Sequence, residues 1–423
     1  MSEHETHRAI EAVWRIEAPR LIAALARVVG DVGMAEELAQ DALVAALEQW
    51  PHDGVPDRPG AWLMATAKHR AIDALRRRQR LQQKQELLGW DLVINQPQIG
   101  VPELEANLEE APIGDDLLRL VFIACHPVLS MEARVALTLR LLGGLTTDEI
   151  AHAFLVPEPT IAQRIVRAKR SLTEANVPFE VPRPEELAER LAAVLEVIYL
   201  IFNEGYSASA GDNWTRPALC EDALRLGRVL SELMPEEPEV HGLVALMEIQ
   251  ASRLRARISA SGEPVLLLDQ NRALWDQLLI RRGLSALRRA EALGTALGPY
   301  GLQAAIAACH ARARTAGETD WAQISALYDA LSALTPSPVV ELNRAMAVAM
   351  AYGPAAGLEI VDELVAEPSL KTYYVLPNVR GDLLYRLGRL GEARIEFERA
   401  ASLTHNARQR QLLLERAAAC AAS

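Results

Sequence analysis

Aromatic residues make up only 5% of this chain, and no uncharged apolar run reaches membrane length. Scarce aromatics beside abundant Ala and Leu argue against a β-sandwich or barrel and for helices. The best membrane candidate, Leu187 to Phe202, carries Glu189, Arg190 and Glu196 and is a poor spanning helix. Cysteine is sparse: Cys125, Cys220, Cys309 and Cys420 lie far apart and form no C-x-x-C pair. A disulfide scaffold or structural zinc site is therefore a poor reading, and reduced thiols in a cytoplasmic protein fit better. The first eight residues are charged from the third onward and lack the apolar core of a signal peptide. An excess of basic charge is missing too, with 44 Lys and Arg against 56 Asp and Glu, net −12. That excludes a nucleic-acid binder along its whole length, but not a basic region offset by acidic neighbours. No nucleophile–base spacing, phosphate-cradling glycine loop or carboxylate pair stands out. Catalytic residues, metal ligands and cofactors are therefore not expected.

What is present is organised. The 423 residues give a prior of about three domains. Between Arg58 and Lys84, eight cations face Asp73 alone. From Gln85 to Asp116, eight carboxylates occur with no Lys or Arg, among three prolines and three glycines. This acidic stretch reads as a linker. Three helices are predicted before it, over about 8–29, 34–49 and 59–80. In the second, Leu38, Ala42, Ala45, Ala46 and Leu47 are placed inward and Glu36, Glu37, Gln40, Asp41 and Glu48 outward. The third opens at Pro59 and puts Leu63, Ala67, Ala71 and Leu75 on one face. Its outer face carries Lys68, His69, Arg76, Arg77 and Arg80, a stripe suited to sequence-blind phosphate contact. Trp62 offers a stacking surface for an unpaired base, or a core contact with Leu21 or Leu25.

The strongest local signal runs from Leu145 to Leu172. Thr146-x-x-Glu149 is a capping box that starts a short helix. Val156-Pro157 makes a turn, and Pro159 suits the first turn of a second helix. There Ile161, Ile165, Ala168 and Leu172 face inward and Thr160, Gln163, Arg164, Arg167 and Arg170 outward. This is a helix-turn-helix layout, whose second helix enters the major groove. Arg and Gln are the side chains that read guanine and adenine edges there. An ordinary helical hairpin with a solvated basic face is the alternative.

Beyond Pro184 an Ala/Leu-rich helical half follows. Gly353-Pro-Ala-Ala-Gly-Leu and Gly388-Arg-Leu-Gly-Glu-Ala repeat 35 residues apart, each between two apolar helices. That period resembles a tetratricopeptide (TPR) array. Asn203-Glu204-Gly205-Tyr206 reads as a helix end capped at Gly205, with a ligand pocket or docking role as the alternative. The adjacent pairs Cys125-His126 and Cys309-His310 read as buried core thiols.

Together, Gly30 to Leu43, Pro59-Gly-Ala-Trp-Leu, Arg70-Ala-Ile-Asp-Ala-Leu-Arg and the helix-turn-helix resemble the extracytoplasmic-function (ECF) sigma factors. Leu200 to Ser209 and Asp320 to Ile324 are similar to the subgroup with a long TPR-like extension. The resemblance implies an all-α chain in four parts: a region 2-like domain (8–84), an acidic linker (85–115), a region 4-like helix-turn-helix domain (116–176) and a TPR-like array (185–420). It implies that Glu37, Gln40 and Asp41 dock on core RNA polymerase. It places Lys68, His69, Asp73, Arg76, Arg77 and Arg80 at the promoter element near −10. It places Thr160, Gln163, Arg164, Arg167 and Arg170 at the element near −35. The expected partners are the clamp coiled coil and flap of core RNA polymerase, promoter DNA, and a regulatory protein at the extension. A polymerase-independent helix-turn-helix regulator with a TPR-like sensor is the rival reading.

Overall fold

The computed structural model describes residues 3–87, 113–154, 156–207, 215–259, 263–294 and 296–422. Among these residues the regular structure is helical, with one isolated antiparallel bridge between Ile258 and Pro264. The chain divides into two compact units, Met1–Val197 and Ile198–Ser423.

In the first unit, helices α1 (Glu3–Val29), α2 (Val32–Asp53) and α3 (Pro59–Leu87) pack on one another. Leu21, Leu25 and Val28 of α1 meet Leu38, Ala42 and Ala45 of α2 and Leu63, Ala67 and Ala71 of α3, all buried as their helical spacing predicts. The Leu75 side chain lies outside the described residues. Gly30, with φ 69°, ends α1. Asp31 then caps α2, its Oδ1 accepting from the Met34 N–H at 2.7 Å. Helix α3 runs past Arg80 to Leu87, because Gln82, Gln83, Lys84, Gln85 and Glu86 are helix formers with no breaker among them. Helix α4 (Ile113–Ala124) likewise begins ahead of the expected boundary at 116. The acidic tether expected over 85–115 is therefore helical at both ends, and its centre, 88–112, lies outside the described residues.

Three shorter helices complete the helix-turn-helix block: α5 (Met131–Leu141), α6 (Thr147–Phe154) and α7 (Glu158–Glu174). This block packs on the N-terminal helices through α4, which lies against α1. Arg27 Nε donates to the buried Asp116 carboxylate at 2.9 Å, and Arg119 Nη1 does so at 2.6 Å.

The unit boundary falls within α8 (Pro184–Tyr206), and the chain continues with α9 (Pro217–Leu233), α10 (Pro238–Ala251), α11 (Gln277–Leu293), α12 (Pro299–Arg312), α13 (Trp321–Leu334), α14 (Pro338–Tyr352), α15 (Pro354–Leu364), α16 (Val375–Arg386), α17 (Leu390–Leu403) and α18 (Ala407–Ala422). Six of these begin on proline, which explains how a proline-rich half stays helical: the first turn needs no N–H there. From α13 onward each helix packs on the next. Leu342, Val361, Leu383 and Phe397 are buried in the cluster that joins the last five. The two repeat glycines do the same job. Gly353 (φ 106°) and Gly388 (φ 74°) sit in the turns between paired helices, in backbone conformations that side-chain-bearing residues avoid.

Gly205 corrects an expectation. It does not cap α8, which continues to Tyr206, and its φ is not positive. Its value is close approach: a Cβ there would fall 2.6 Å from the Cys220 backbone nitrogen and 2.9 Å from Leu219 Cβ.

Candidate nucleic-acid interface

The residues expected to read duplex DNA lie on α6 and α7. Thr146 and Glu149 make the reciprocal capping box: the Glu149 N–H donates to Thr146 Oγ1 at 3.1 Å, and the Thr146 N–H to Glu149 Oε2 at 2.8 Å. Pro157 precedes α7 with φ −59°, and Pro159 occupies its first turn. Ile161, Ile165, Ala168 and Leu172 are buried, so one face of α7 is committed to the core. The opposite face shows Gln163, Arg167 and Arg170 to solvent, with Thr160 and Arg164 half-buried. Arg170 Nε pairs with Glu174 at 2.6 Å, an exposed contact of small energetic weight.

The second cationic surface lies on α3. His69, Asp73, Arg76 and Arg77 are exposed and Lys68 is half-buried; the Arg80 side chain lies outside the described residues. Trp62 is half-buried, and its ring stands edge-on to buried Trp50, centroids 5.4 Å apart at 69°. It packs on that indole, a partner its sequence neighbourhood did not single out. Across α2, Glu37 and Asp41 are exposed and Gln40 is half-buried. Arg70 Nη1 reaches Asp41 at 3.4 Å. A groove between the two helices is lined by Met34, Glu37, Leu38, Asp41, Arg70 and Arg77. The acidic side chains of α2 thus border the basic stripe of α3.

Two placements on α2 differ from the sequence reading. Leu47, expected inward, is partly exposed, and Glu36, expected outward, is only 2% exposed. Glu36 is drawn in by two cations from the helix-turn-helix block. Arg140 Nε donates to its Oε1 at 2.6 Å, and Lys169 Nζ pairs with the other oxygen. Both partners are more than a hundred residues away, so no local pattern announces them. Lys169 lies on α7 itself, between Arg167 and Arg170. Beside this lock, Thr173 Oγ1 donates to Asp31 Oδ2 at 3.0 Å. In this arrangement α7 is tied by one flank to the N-terminal helices.

The other sequence candidates fall where core residues belong. All four cysteines are buried and unbridged. Burial pushes the Cys125 thiol up to about 11 and the Cys220 thiol up to about 12, well away from reactive thiolates. His126 is held down at about 4, first by burial and then by Arg190 and Arg134. Among the described residues no group of three or more His, Cys, Asp or Glu is arranged to hold a metal ion. No helix among them is long and apolar enough to cross a membrane.

Comparison with known proteins matches three segments. Residues 14–81 match sigma-70 region 2, residues 119–172 match sigma-70 region 4, and residues 190–291 match a family of unknown function (DUF6596). An uncharacterized protein of Rhizobium meliloti is 44% identical over 389 residues, covering 92% of this chain and 90% of that protein. The ECF RNA polymerase sigma factor SigK of Mycobacterium ulcerans is 30% identical over 159 residues, 36% of this chain and 78% of that protein. The probable ECF RNA polymerase sigma factor SigI of Mycobacterium tuberculosis is 25% identical over 182 residues, 43% of this chain and 59% of that protein.

Proposed function

This chain belongs to the ECF RNA polymerase sigma factors, and from that membership we propose that it binds core RNA polymerase in the cytoplasm and directs it to specific promoters without bond chemistry of its own. Glu37, Gln40 and Asp41 dock on the clamp coiled coil, and the flap takes the helix-turn-helix domain. Lys68, His69, Asp73, Arg76, Arg77 and Arg80 lie against the −10 element, where strand opening begins. Thr160, Gln163, Arg164, Arg167 and Arg170 face the −35 element. One observation carries this reading: a single chain holds, in order, a region 2 match with a cationic helix and a region 4 match with a capped helix-turn-helix.

The two elements impose a length. Boxes about 25 base pairs apart are separated by about 85 Å, at ~3.4 Å per pair. With the ends of the acidic stretch held in α3 and α4, the 25-residue segment between them, 88–112, reaches about 83–90 Å if fully extended but averages only about 25–30 Å as a free coil. It spans both boxes when stretched in a basic channel of the polymerase. Engaging both at once also requires Arg140 and Lys169 to leave Glu36, because that ion-pair cluster holds the two DNA-facing domains together. The TPR-like extension is a regulatory surface for a protein partner. Its covalent attachment gives it a high effective concentration at the DNA-binding half.

The test is run-off transcription with purified core polymerase on genomic fragments. Promoter-specific transcripts are expected only when polymerase and this chain are both present. Glu37→Lys is expected to lower core affinity at least about tenfold, with folding unchanged because Glu37 is exposed. Tight, specific binding of duplex DNA without polymerase would overturn the proposal and favour an autonomous regulator.

A further inference from the structure

The second unit holds a buried cluster that no part of the sigma-factor reading uses. Arg253, just beyond α10, is 8% exposed. Its guanidinium carbon stands 5.8 Å from the ring centroid of Tyr206 and 5.8 Å from that of Trp275. Arg272 approaches the same Trp275 ring at 5.0 Å, and Arg257 lies 3.8 Å from the Tyr206 centroid. Three guanidinium groups thus converge on two aromatic rings. Arg272 is anchored by donating from Nη1 to the carbonyls of His310 and Ala313, both at 2.7 Å, and from Nη2 to Thr319 Oγ1 at 3.0 Å.

Three buried donors of this cluster are not matched by acceptors. Arg253 Nε, Arg272 Nε and the indole N–H of Trp275 are all buried, and none meets an acceptor among the described residues. Nor does a described carboxylate form an ion pair with Arg253. A charge buried this deeply without a counter-ion is costly, and three unmatched N–H donors at one place add to that cost. The neighbours feel the same excess of positive charge. Burial first, then Arg253 and Arg272, hold the His310 imidazole down at about 3. Arg272 is itself lowered by burial and by Arg253.

Donors without acceptors, guanidinium groups and flat aromatic faces specify one kind of missing group. We propose that the extension binds a small organic oxyanion, a carboxylate or phosphate, received by Arg253 with Arg272 and the Trp275 N–H and bordered by the rings of Tyr206 and Trp275. A planar guanidinium fork matches either oxyanion through two parallel hydrogen bonds. The site falls within the matched segment of unknown function and includes Tyr206, the last residue of the Asn203-Glu204-Gly205-Tyr206 motif. It stands independently of how the N-terminal half contacts DNA.

The experiment is calorimetric titration of the full chain with pyrophosphate, inorganic phosphate and citrate at matched ionic strength, with chloride as the control. Binding of the phosphates alone or of citrate alone identifies the oxyanion class. Arg253→Met is expected to weaken that binding at least tenfold and to raise the thermal midpoint of the unliganded protein, since it removes an uncompensated buried charge. Trp275→Phe keeps a ring and removes only the N–H; an approximately threefold loss is expected, and this variant carries the test should Arg253→Met fail to fold. Absence of binding by all three anions, equal binding of chloride, or anion affinity unchanged in a folded variant would overturn the proposal.

Discussion

Replacing Gln163 and Arg167 together by alanine is expected to reduce transcription from the protein's own promoter by about 30-fold or more. Both side chains lie on the solvent face of α7, opposite Ile161, Ile165, Ala168 and Leu172, which hold the helix in its core. Their removal therefore leaves packing intact, and the thermal midpoint is expected to stay within about 2–4 °C of the parent, as surface changes usually cost less than ~0.5 kcal/mol each. A good side-chain contact to a base edge is worth about 1–3 kcal/mol, and two such contacts multiply to at least the stated factor. Affinity for core polymerase is expected to be unchanged, since the clamp-docking residues on α2 are untouched and both side chains are assigned to the DNA face of the helix-turn-helix domain. Run-off transcription beside a core-binding assay separates the two effects. Equal loss on promoter and non-promoter DNA would mark these side chains as phosphate contacts rather than readers of sequence.

Glu36→Gln is the second substitution with a large expected effect, and its two consequences run in opposite directions. The carboxylate is buried and neutralises Arg140 and Lys169, whose side chains are each 21% exposed. Removing one partner from a buried ion pair costs about 3–5 kcal/mol. Water reaches both cations here, so the lower end, about 3 kcal/mol, is expected. For a unit of this size that corresponds to a fall of about 6–12 °C in the first unfolding transition. The same pairs hold together the two domains proposed to face DNA, whereas the proposed promoter contacts lie about 85 Å apart on ~3.4 Å base-pair steps. Weakening the lock favours the open form, and apparent affinity for core polymerase is expected to rise about tenfold or more. Core affinity that falls along with stability would show Glu36 to be structural only.

How much of this was legible beforehand follows the range of the interactions involved. The helix-turn-helix could be read because its signals are local: a capping box four residues long, two prolines, and apolar residues three and four apart. Gly353 and Gly388 could be read because the same turn recurs at a fixed interval. Glu36 could not. On α2 it sits beside exposed Glu37; its local partner, Gln40 Nε2, lies on the same helix, and the cations that meet it inward come from 140 and 169. Gly205 looked like a helix stop because glycine favours left-handed caps, but here it lets α8 approach the backbone of Cys220. The Arg253 cluster was invisible for the same reason as the Glu36 lock. Tyr206, Arg253, Trp275 and His310 belong to four separate stretches of chain, and only the folded extension brings them together. Of the site on α3, the stripe of charge was evident, while the Trp62–Trp50 contact depended on how α2 and α3 pack.

The central claim is that one chain touches two distant segments of a single promoter through α3 and α7. Photo-crosslinkable residues placed singly at positions 77 and 167 of the full chain, assembled with core polymerase on a labelled promoter duplex, test it most directly. The account predicts that position 77 labels DNA at the −10 element and position 167 labels the −35 element of the same molecule, about 25 base pairs upstream, near 85 Å at ~3.4 Å per pair. Adducts from both positions within one short segment, or none from position 167 while position 77 reacts, would contradict it.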